Sequence, residues 1–595
     1  MKIEVAKYIA EFLVKNNIRD CFTVVGGGAM FLNDAFGHNP DINVVYQHHE
    51  QACAMSAEAY ARINNQIALV CVTTGPGATN AITGVLGGWM DSIPMLVISG
   101  QARYKTTSMA SKLPLRTRGI QEYNIIESVK PMTKYAKLVD NPLDIKYVLE
   151  KAVYEATTGR PGPCWIDIPL DVQSALIDTD ELSSFEYPNE EINRVSGELI
   201  DKVHNKIMSA KRPLLFIGNG VRLAGAHEEM LALVEAMNIP VVTGMSSVDA
   251  IDSDHPLFIG RNGTTGSRAG NFAVQTCDLL LSIGSRQSYF QTGFDTDNWA
   301  PNAFKILNDI DINELNKEGL NPDLKLCCDA KFLITELTKR FITPWNSNYK
   351  WIEHCQFLRE KYPVLQKKHI DDVSPNIYNF YDILSSKLSS DDILVVSVGT
   401  SRVAGSQASR IKEGMRFITN PATASMGYCL PAAIGVSVAR NGKKTILVTG
   451  EGSFQMNIQE LQTIVQNKLP IIIFVMNNQG YHSIRMTQNT YFGKPLVGVG
   501  PESNDLSFPD LSKIAYAYGM DYKVCNNNNE IDRAIDWALE QKSACICEIM
   551  LSTEQITEPK VSSQKLENGQ MKSARLENMS PFLNQDEIDF ALNIE

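Results

Sequence analysis

No stretch of the 595-residue chain is apolar over anything like the ~20 residues a bilayer crossing requires. Runs such as PIIIFVM, beginning at Pro470, stop far short of that length. A basic surplus is also missing: 55 Lys and Arg against 67 Asp and Glu leave a net charge of −12. Neither nucleic acid nor an anionic membrane is therefore expected as a partner. The twelve cysteines include no CxxC pair and no Cys/His cluster, and many sit in apolar contexts such as ALVCV and SACICEI. That pattern predicts buried, reduced thiols and a cytoplasmic location. The opening segment, MKIEVAKYIAEFLVKNN, carries Glu4 and Glu11 within its apolar stretch, so it reads as an amphipathic helix and not as a signal peptide. With 44% hydrophobic and 21% charged residues, the composition excludes a mostly disordered chain, a collagen and a coiled-coil rod.

What is present is an alternation of short β-rich apolar runs with helical patterns, which predicts α/β domains built on parallel sheets. Two polar stretches interrupt it: IDTDELSSFEYPNEEINRVS from Ile177 and TPWNSNYK from Thr343. Read as linkers, they predict a first domain over 1–176, a linker over 177–196 and a central domain over 197–342. A second linker over 343–370, a third domain over 371–557 and a polar tail or lid over 558–595 complete the division. Asn526 to Asn529 reads as a loop capping a helix that begins near Glu530. In the first third, IALVCVTT runs into GPGATN; in the last, KKTILVTG runs into GEGS. Ligands of such sheets lie beyond the carboxyl ends of the strands, so both turns are candidate site walls. Phe454, Ile458, Leu461 and Val465, spaced four, three and four apart, predict one buried helical face after the second turn.

The segment GEGSFQMNIQELQTIVQNKLPIIIFVMNNQGY from Gly450 holds the most chemistry. A strand over 445–449 ends at a glycine, Glu451 projects a carboxylate, and Gly452 and Ser453 offer N–H groups at a helix start. A second strand over 471–476 then delivers Asn477, Asn478 and a turn at Gly480. A carboxylate, an amide oxygen and a turn carbonyl are hard oxygen ligands suited to Mg²⁺. A helix N-terminus beside them suits a phosphate group. Together they describe a metal–diphosphate site with Glu451, Asn478 and Gly480 as ligands.

This segment resembles the GDG…NN motif of thiamine-diphosphate enzymes, with 24 residues between Gly452 and Asn477 and Glu451 where the family has Asp. HHEQACAMSAEAYAR, VTTGPGATNAITGVLGGWMDSIPMLVISGQ, GRPGPCWIDIPLDV, SMGYCLPAAIG, NDIDINEL and the IGRNGTTG stretch of the middle third are similar to acetolactate synthase and its relatives, in the same order over about 550 residues. The resemblance implies three doubly wound parallel-sheet domains: pyrimidine-binding, central Rossmann-like and diphosphate-binding. It implies thiamine diphosphate and Mg²⁺ as cofactors, and a homo-oligomer in which the first third of one subunit and the last third of another clasp each cofactor.

It also implies residue roles. Glu50 would hydrogen-bond the ring nitrogen N1′ of the aminopyrimidine. Met426 would lie beneath the cofactor, the Ala424 carbonyl would accept from the 4′-amino group, and Thr73, Pro76 and Asn80 would line the pyrimidine. Gly399, Thr400 and Ser401 would join Gly452 and Ser453 on the diphosphate; relatives often have Gln-His where this chain has Thr400 and Ser401. Gly27, Gly28 and Ala29 would let the donor approach closely, and Gln121 matches a family glutamine near the substrate. His48 and His49 form a pair able to shuttle protons, of which the second commonly has a counterpart.

The implied reaction is decarboxylation of pyruvate or a similar 2-oxo acid, with transfer of the two-carbon unit to a carbonyl acceptor. Synthases carry Arg-Gln-Trp after the metal-binding turn where this chain has Arg485, Met486 and Thr487, and a Tyr where it has Val25. The acceptor side therefore differs, leaving three alternatives: a nucleotide-linked keto-sugar acceptor, a simple decarboxylase, or a catalytically silent homologue. In the middle third, PLLFIGNGVRLAG lacks GxGxxG spacing and no acidic residue ends the next strand, which disfavours NAD. The resemblance raises FAD instead, near Arg261, Gly263 and Arg286.

Overall fold

Buried parallel strands need no polar face, and these strands read accordingly as unbroken apolar runs. Ile393–Val396 and the greater part of Thr445–Gly450, Ile471–Asn477 and Cys545–Met550 are buried. The computed structural model describes residues 2–188, 194–341, 349–565 and 571–594. The expected linkers over 177–196 and 343–370 and the tail over 558–595 thus lie partly outside the described residues, at 189–193, 343–348, 566–570 and 595.

Three six-stranded parallel sheets form the body. The first orders its strands as Asn43–Tyr46, Asp20–Thr23, Leu69–Val72, Met95–Gln101, Pro163–Pro169 and Tyr135–Leu138. The last runs Arg416–Ile418, Ile393–Val396, Thr445–Gly450, Ile471–Asn477, Cys545–Met550 and Asp521–Cys525. Numbered along the chain, both orders are 2-1-3-4-6-5. The central sheet runs Phe258–Arg261, Val241–Thr243, Pro213–Ile217, Leu279–Ile283, Phe304–Asp309 and Leu324–Cys327, which is the 3-2-1-4-5-6 order of dinucleotide-binding folds. The expected class, three doubly wound α/β domains, is the one observed.

In the first and last sheets the helix that follows strand 2 is the joint between them. Glu50–Asn64 packs lengthwise on Cys429–Ala439. Its sequence EQACAMSAEAYARIN is nearly all small side chains on the packed side, and ten consecutive residues from Ala52 to Ala61 are buried. Ser56 Oγ donates to Pro431 O at 2.8 Å, and Tyr428 OH donates to Glu58 Oε2 at 2.7 Å. Gly435 permits the approach, since a Cβ there would overlap the Ser56 carbonyl. One apolar core runs through both sheets across this joint.

One expectation is corrected. The helix predicted through Phe454, Ile458, Leu461 and Val465 is two helices, Glu451–Gln455 and Glu460–Gln466, with Phe454 and Leu461 buried but Val465 exposed. Asn457 breaks it by leaving the helical path. Its Nδ2 donates to Gly427 O at 2.7 Å and reaches Gln51 Oε1 at 3.1 Å, a competition with the helix ladder for which Asn is well suited.

The tail lies against the central sheet's layer. Residues of the helix Arg268–Thr276 hold it: Arg268 Nη1 donates to Met579 O, Asn271 Nδ2 to Leu576 O and Gln275 Nε2 to Glu577 Oε2. The closing helix Gln585–Leu592 buries Ile588 and Ala591 there. No helix among the described residues is long and apolar enough to cross a membrane.

Candidate active site

The first cluster sits at the carboxyl ends of strands 1, 2 and 3 of the first sheet. Strand 2 ends before Gln47, and Glu50 opens the next helix, whose N-cap is His49; the His49 ring accepts from Gln51 N–H at 3.2 Å. Asn80 Nδ2 donates to Glu50 Oε2 at 3.0 Å, which orients the carboxylate. Asn80 comes from the helix Pro76–Asp91, started by Gly75 at φ +59° and by Pro76 in the first turn, where a missing N–H costs nothing. Thr73 Oγ1 accepts from Gly28 N–H at 3.0 Å, tying down the glycine loop. A Cβ on Gly28 would stand 2.7 Å from Thr74 Cγ2, so only glycine fits that approach. Gln121, at φ +56°, touches the same turn through its carbonyl, which accepts from Thr74 Oγ1 at 2.9 Å; its side chain is exposed. Glu50, Gly28, Thr73, Pro76, Asn80 and Gln121 therefore form one corner.

His48 is exposed, and its N–H donates to Glu460 Oε1 at 3.2 Å. Glu460 also accepts from Gln47 Nε2 and Thr463 Oγ1. A fully buried carboxylate of the last sheet's layer thus fixes the two residues ahead of His49 and Glu50. Sequence reading missed it, because a Glu in a helical QEL run gives no sign of which layer it faces.

The second cluster occupies the strand-order switch of the last sheet, between strands 1 and 3. Gly399, at φ +79°, precedes the helix Thr400–Ala408. Ser401 is buried, and its carbonyl accepts from Tyr381 OH at 2.8 Å. Ser453 Oγ accepts from Gly427 N–H at 3.0 Å and from Ser397 Oγ at 2.8 Å, joining three loops at one hydroxyl. Ser397, at the end of strand ILVV, is a second residue that sequence reading missed. Ala424 adopts φ +51°, a conformation that a non-glycine residue holds only where its surroundings enforce it. The methyl of Met426 lies 3.5 Å from where a Cβ on Gly452 would stand.

Glu451 is 3% exposed. Burial raises its carboxyl pKa to about 7, against the opposing pull of the Gly480 and Asn478 N–H groups. Asn477 is committed: Nδ2 donates to Glu548 Oε1 at 2.6 Å and Oδ1 accepts from Gln479 N–H at 2.9 Å. Among the described residues no hydrogen bond engages the buried Asn478 carboxamide. A buried carboxylate beside an uncommitted amide is a donor set that favours a hard cation.

No hydrogen bond or ion pair joins the two clusters directly among the described residues; their neighbours meet, through Gln51 with Asn457 and His48 with Glu460. A third feature is a cavity of about 670 Å³ between the first and central layers, lined by Arg62, Asp91, Arg160, Gly218, Arg286 and Asp309 among others. Of the residues expected to hold FAD only Arg286 lines it. Arg261 is buried and donates to Gln407 O and Ser409 O, and Gly263 packs against the Phe290 carbonyl.

Comparison with known proteins agrees with this geometry. Residues 3–127 match the description "Thiamine pyrophosphate enzyme, N-terminal TPP binding domain", residues 200–337 its central domain and residues 397–549 its C-terminal TPP binding domain. The chain is 31% identical over 558 residues to a probable acetolactate synthase large subunit of Methanococcus aeolicus, covering 90% of each chain. It is 30% identical to the acetolactate synthase isozyme 2 large subunit of Escherichia coli, over 90% of this chain and 93% of that one. To the acetolactate synthase large subunit of Cyanidium caldarium it is 28% identical, over 95% of each. Matched along nearly its whole length, the chain belongs to the thiamine pyrophosphate enzymes, in their acetolactate-synthase-like branch.

Proposed function

We propose that the protein decarboxylates pyruvate or a similar 2-oxo acid with thiamine diphosphate and Mg²⁺, and transfers the two-carbon unit to a carbonyl acceptor. The observation that carries this is the pairing of an oriented carboxylate, Glu50 on Asn80, with a separate buried carboxylate, Glu451, beside a free carboxamide. The residues fit the cofactor. Gly399 leaves open space at the start of its helix, where a Cβ would come no nearer than 3.8 Å to Ser483 Oγ, and Glu451 with Asn478 and the Gly480 carbonyl would hold the cation.

When bound, thiamine diphosphate supplies the electron sink for decarboxylation. The chain's own residues do the rest. Glu50 holds a proton against the ring nitrogen N1′, and Asn80 keeps that carboxylate aimed. Ala424 O would accept from the 4′-amino group, and Thr73, Pro76 and Met426 would line the ring. Ser453, Gly452 and Gly399, with Thr400 and Ser401, would receive the diphosphate, while Gly28 and Gln121 would border the donor.

A homodimer with sites at the interface belongs to the same reading, in keeping with two clusters that no hydrogen bond or ion pair joins directly among the described residues. It is supported by apolar side chains left exposed near them: Val25, Met30 and Tyr46 beside the first, Met456 beside the second. FAD enters no step, since two of the three residues expected to hold it are committed to internal contacts. The names of the relatives favour a 2-oxo acid acceptor over a nucleotide-linked keto-sugar. The test is to supply the purified protein with thiamine diphosphate, Mg²⁺ and pyruvate, alone or with 2-ketobutyrate or a nucleotide-linked keto-sugar, and to weigh the products. CO₂ release with a carboligated product is expected; neither cofactor uptake nor CO₂ release overturns the reading.

A further inference from the structure

Arg485 aligns with the acceptor-side residues of the synthases, which leads one to expect it near substrate. It points the other way. It lies on the helix His482–Tyr491, is 2% exposed, and directs its guanidinium back under the turn that carries Asn478 and Gly480. Nη1 donates to Asn478 O at 3.0 Å and Nη2 to Gln479 O at 2.7 Å. His482 braces it. The His482 Nε2 faces the Gln555 carbonyl at 2.6 Å and so carries the proton, which leaves Nδ1 to accept from Arg485 Nη1 at 3.3 Å. Glu502, one-third exposed, supplies the counter-charge at 3.2 Å.

The turn needs such a brace. Gln479 stands at φ +58° and Gly480 at φ +131°, two successive residues in the left-handed half of backbone space, and a Cβ on Gly480 would overlap the Val499 carbonyl. Only the second of these residues is a glycine, so Gln479 is held against its preference. The turn is gripped from both sides. The N–H groups of Gly480 and Asn478 face the Glu451 carboxylate, and the carbonyls of Asn478 and Gln479 face the Arg485 guanidinium. A guanidinium is suited to this because its planar fork reaches two carbonyls at once, which an ammonium cannot.

We propose that Arg485 is a positioning residue for the divalent cation: it presets the strained turn so that the Asn478 carboxamide and Gly480 carbonyl are already in place beside Glu451. This rests on the metal reading given above, and the experiment separates the two.

Mg²⁺ binding is measured by calorimetry at saturating thiamine diphosphate, together with kcat and the KM for pyruvate at saturating Mg²⁺. Arg485→Met is expected to raise the Mg²⁺ Kd about 10–100-fold, the scale on which groups that orient metal ligands act. Arg485→Lys falls between it and the unaltered protein, and excess Mg²⁺ restores most of kcat with KM unchanged. Adding Gln479→Gly to Arg485→Met is expected to recover roughly fivefold of the lost affinity by relieving the left-handed residue. This second variant keeps the test open should the single one fold poorly. An unchanged Mg²⁺ Kd with a raised KM overturns the proposal in favour of a substrate contact. An unchanged Mg²⁺ Kd in Glu451→Ala instead overturns the metal reading itself.

Discussion

The first and last sheets share one strand order, and in each the third strand ends in a turn that opens a helix, yet the two turns carry opposite chemistry. After Leu69–Val72 come Thr73, Thr74, Gly75 and Pro76, with no charge at all. The hydroxyls are spent on structure: Thr73 on Gly28 N–H, and Thr74 between the Gln101 carboxamide and the Gln121 carbonyl. After Thr445–Gly450 comes Glu451, a buried carboxylate to which, among the described residues, no cationic side chain is bonded. The same scaffold thus makes one neutral wall and one anionic one. The carboxylate bonded to Asn80 at the first sheet's corner, Glu50, enters after strand 2, where it is half-exposed and able to meet a ligand presented from outside. In the proposed reaction one half handles the heterocycle and the other the charged end.

The sharpest way to break this division is at Glu50. Glu50→Gln keeps the shape and the contact with Asn80 but removes the proton that the carboxyl shares with N1′, so turnover of pyruvate should fall about 10²–10⁴-fold, the usual span of acid–base assistance. Cofactor affinity should stay within a few-fold, because the charged end is held elsewhere. CO₂ release and calorimetric binding on the same preparation check both halves of the statement, and turnover near the unaltered rate removes Glu50 from its role.

At Glu451 the expectation inverts: Glu451→Ala should lose Mg²⁺-supported cofactor binding before anything else. The pKa of about 7 adds a pH signature. In the metal-free protein the folded carboxyl titrates near 7 and the unfolded one near 4.5. Stability is therefore greatest below 4.5 and declines as pH rises to about 7, by about 3 kcal/mol at most. Glu451→Gln should remove that part of the slope. Subtracting the variant matters because the buried Asp167 is raised to about 7 as well and slopes the same way. Mg²⁺ must displace the proton, so its affinity should weaken about tenfold for each pH unit below 7 and level off above it. Chelator-treated protein melted from pH 5 to pH 8, with and without Mg²⁺ and thiamine diphosphate, reads both effects.

Much of this was open to sequence reading, and the exceptions share a cause. Buried parallel strands announce themselves as apolar runs such as ILVV and IIIFVM, and the GEGS and NNQG turns are local strings. What failed was whatever depended on a partner distant in sequence. Val465 has the right spacing for a buried face, but Asn457 leaves the helix to reach Gly427 and Gln51, and the register is lost. Of two adjacent asparagines, only Glu548 decides that Asn477 is structural. Glu460, Ser397 and Arg485 act through contacts with His48, Ser453 and the Asn478–Gln479 carbonyls, and no spacing rule connects them.

The smallest predicted effects concern the joint that makes the two sheets one body. Gly435 lies mid-helix, where alanine alone would favour the helix by about 1 kcal/mol. Its missing Cβ, however, is where the Ser56 carbonyl passes, and neither backbone can yield without parting the Glu50–Asn64 and Cys429–Ala439 helices. Gly435→Ala should therefore destabilise by about 1–3 kcal/mol despite the better propensity. Ser56→Ala, which removes the 2.8 Å bond to Pro431 O and the 3.1 Å bond from Gln47 Nε2, should cost about 1–2 kcal/mol, since both partners are buried. Thermal melts of the two variants rank them. If Gly435→Ala is neutral, the helices slide freely, and the placement of Glu50 and of the Met426 turn is set by each sheet alone. If it is destabilising and the double variant costs less than the sum of the two, the carbonyl of Ser56 and its hydroxyl act as one contact. The register of the uncharged half against the anionic half is then fixed at this crossing.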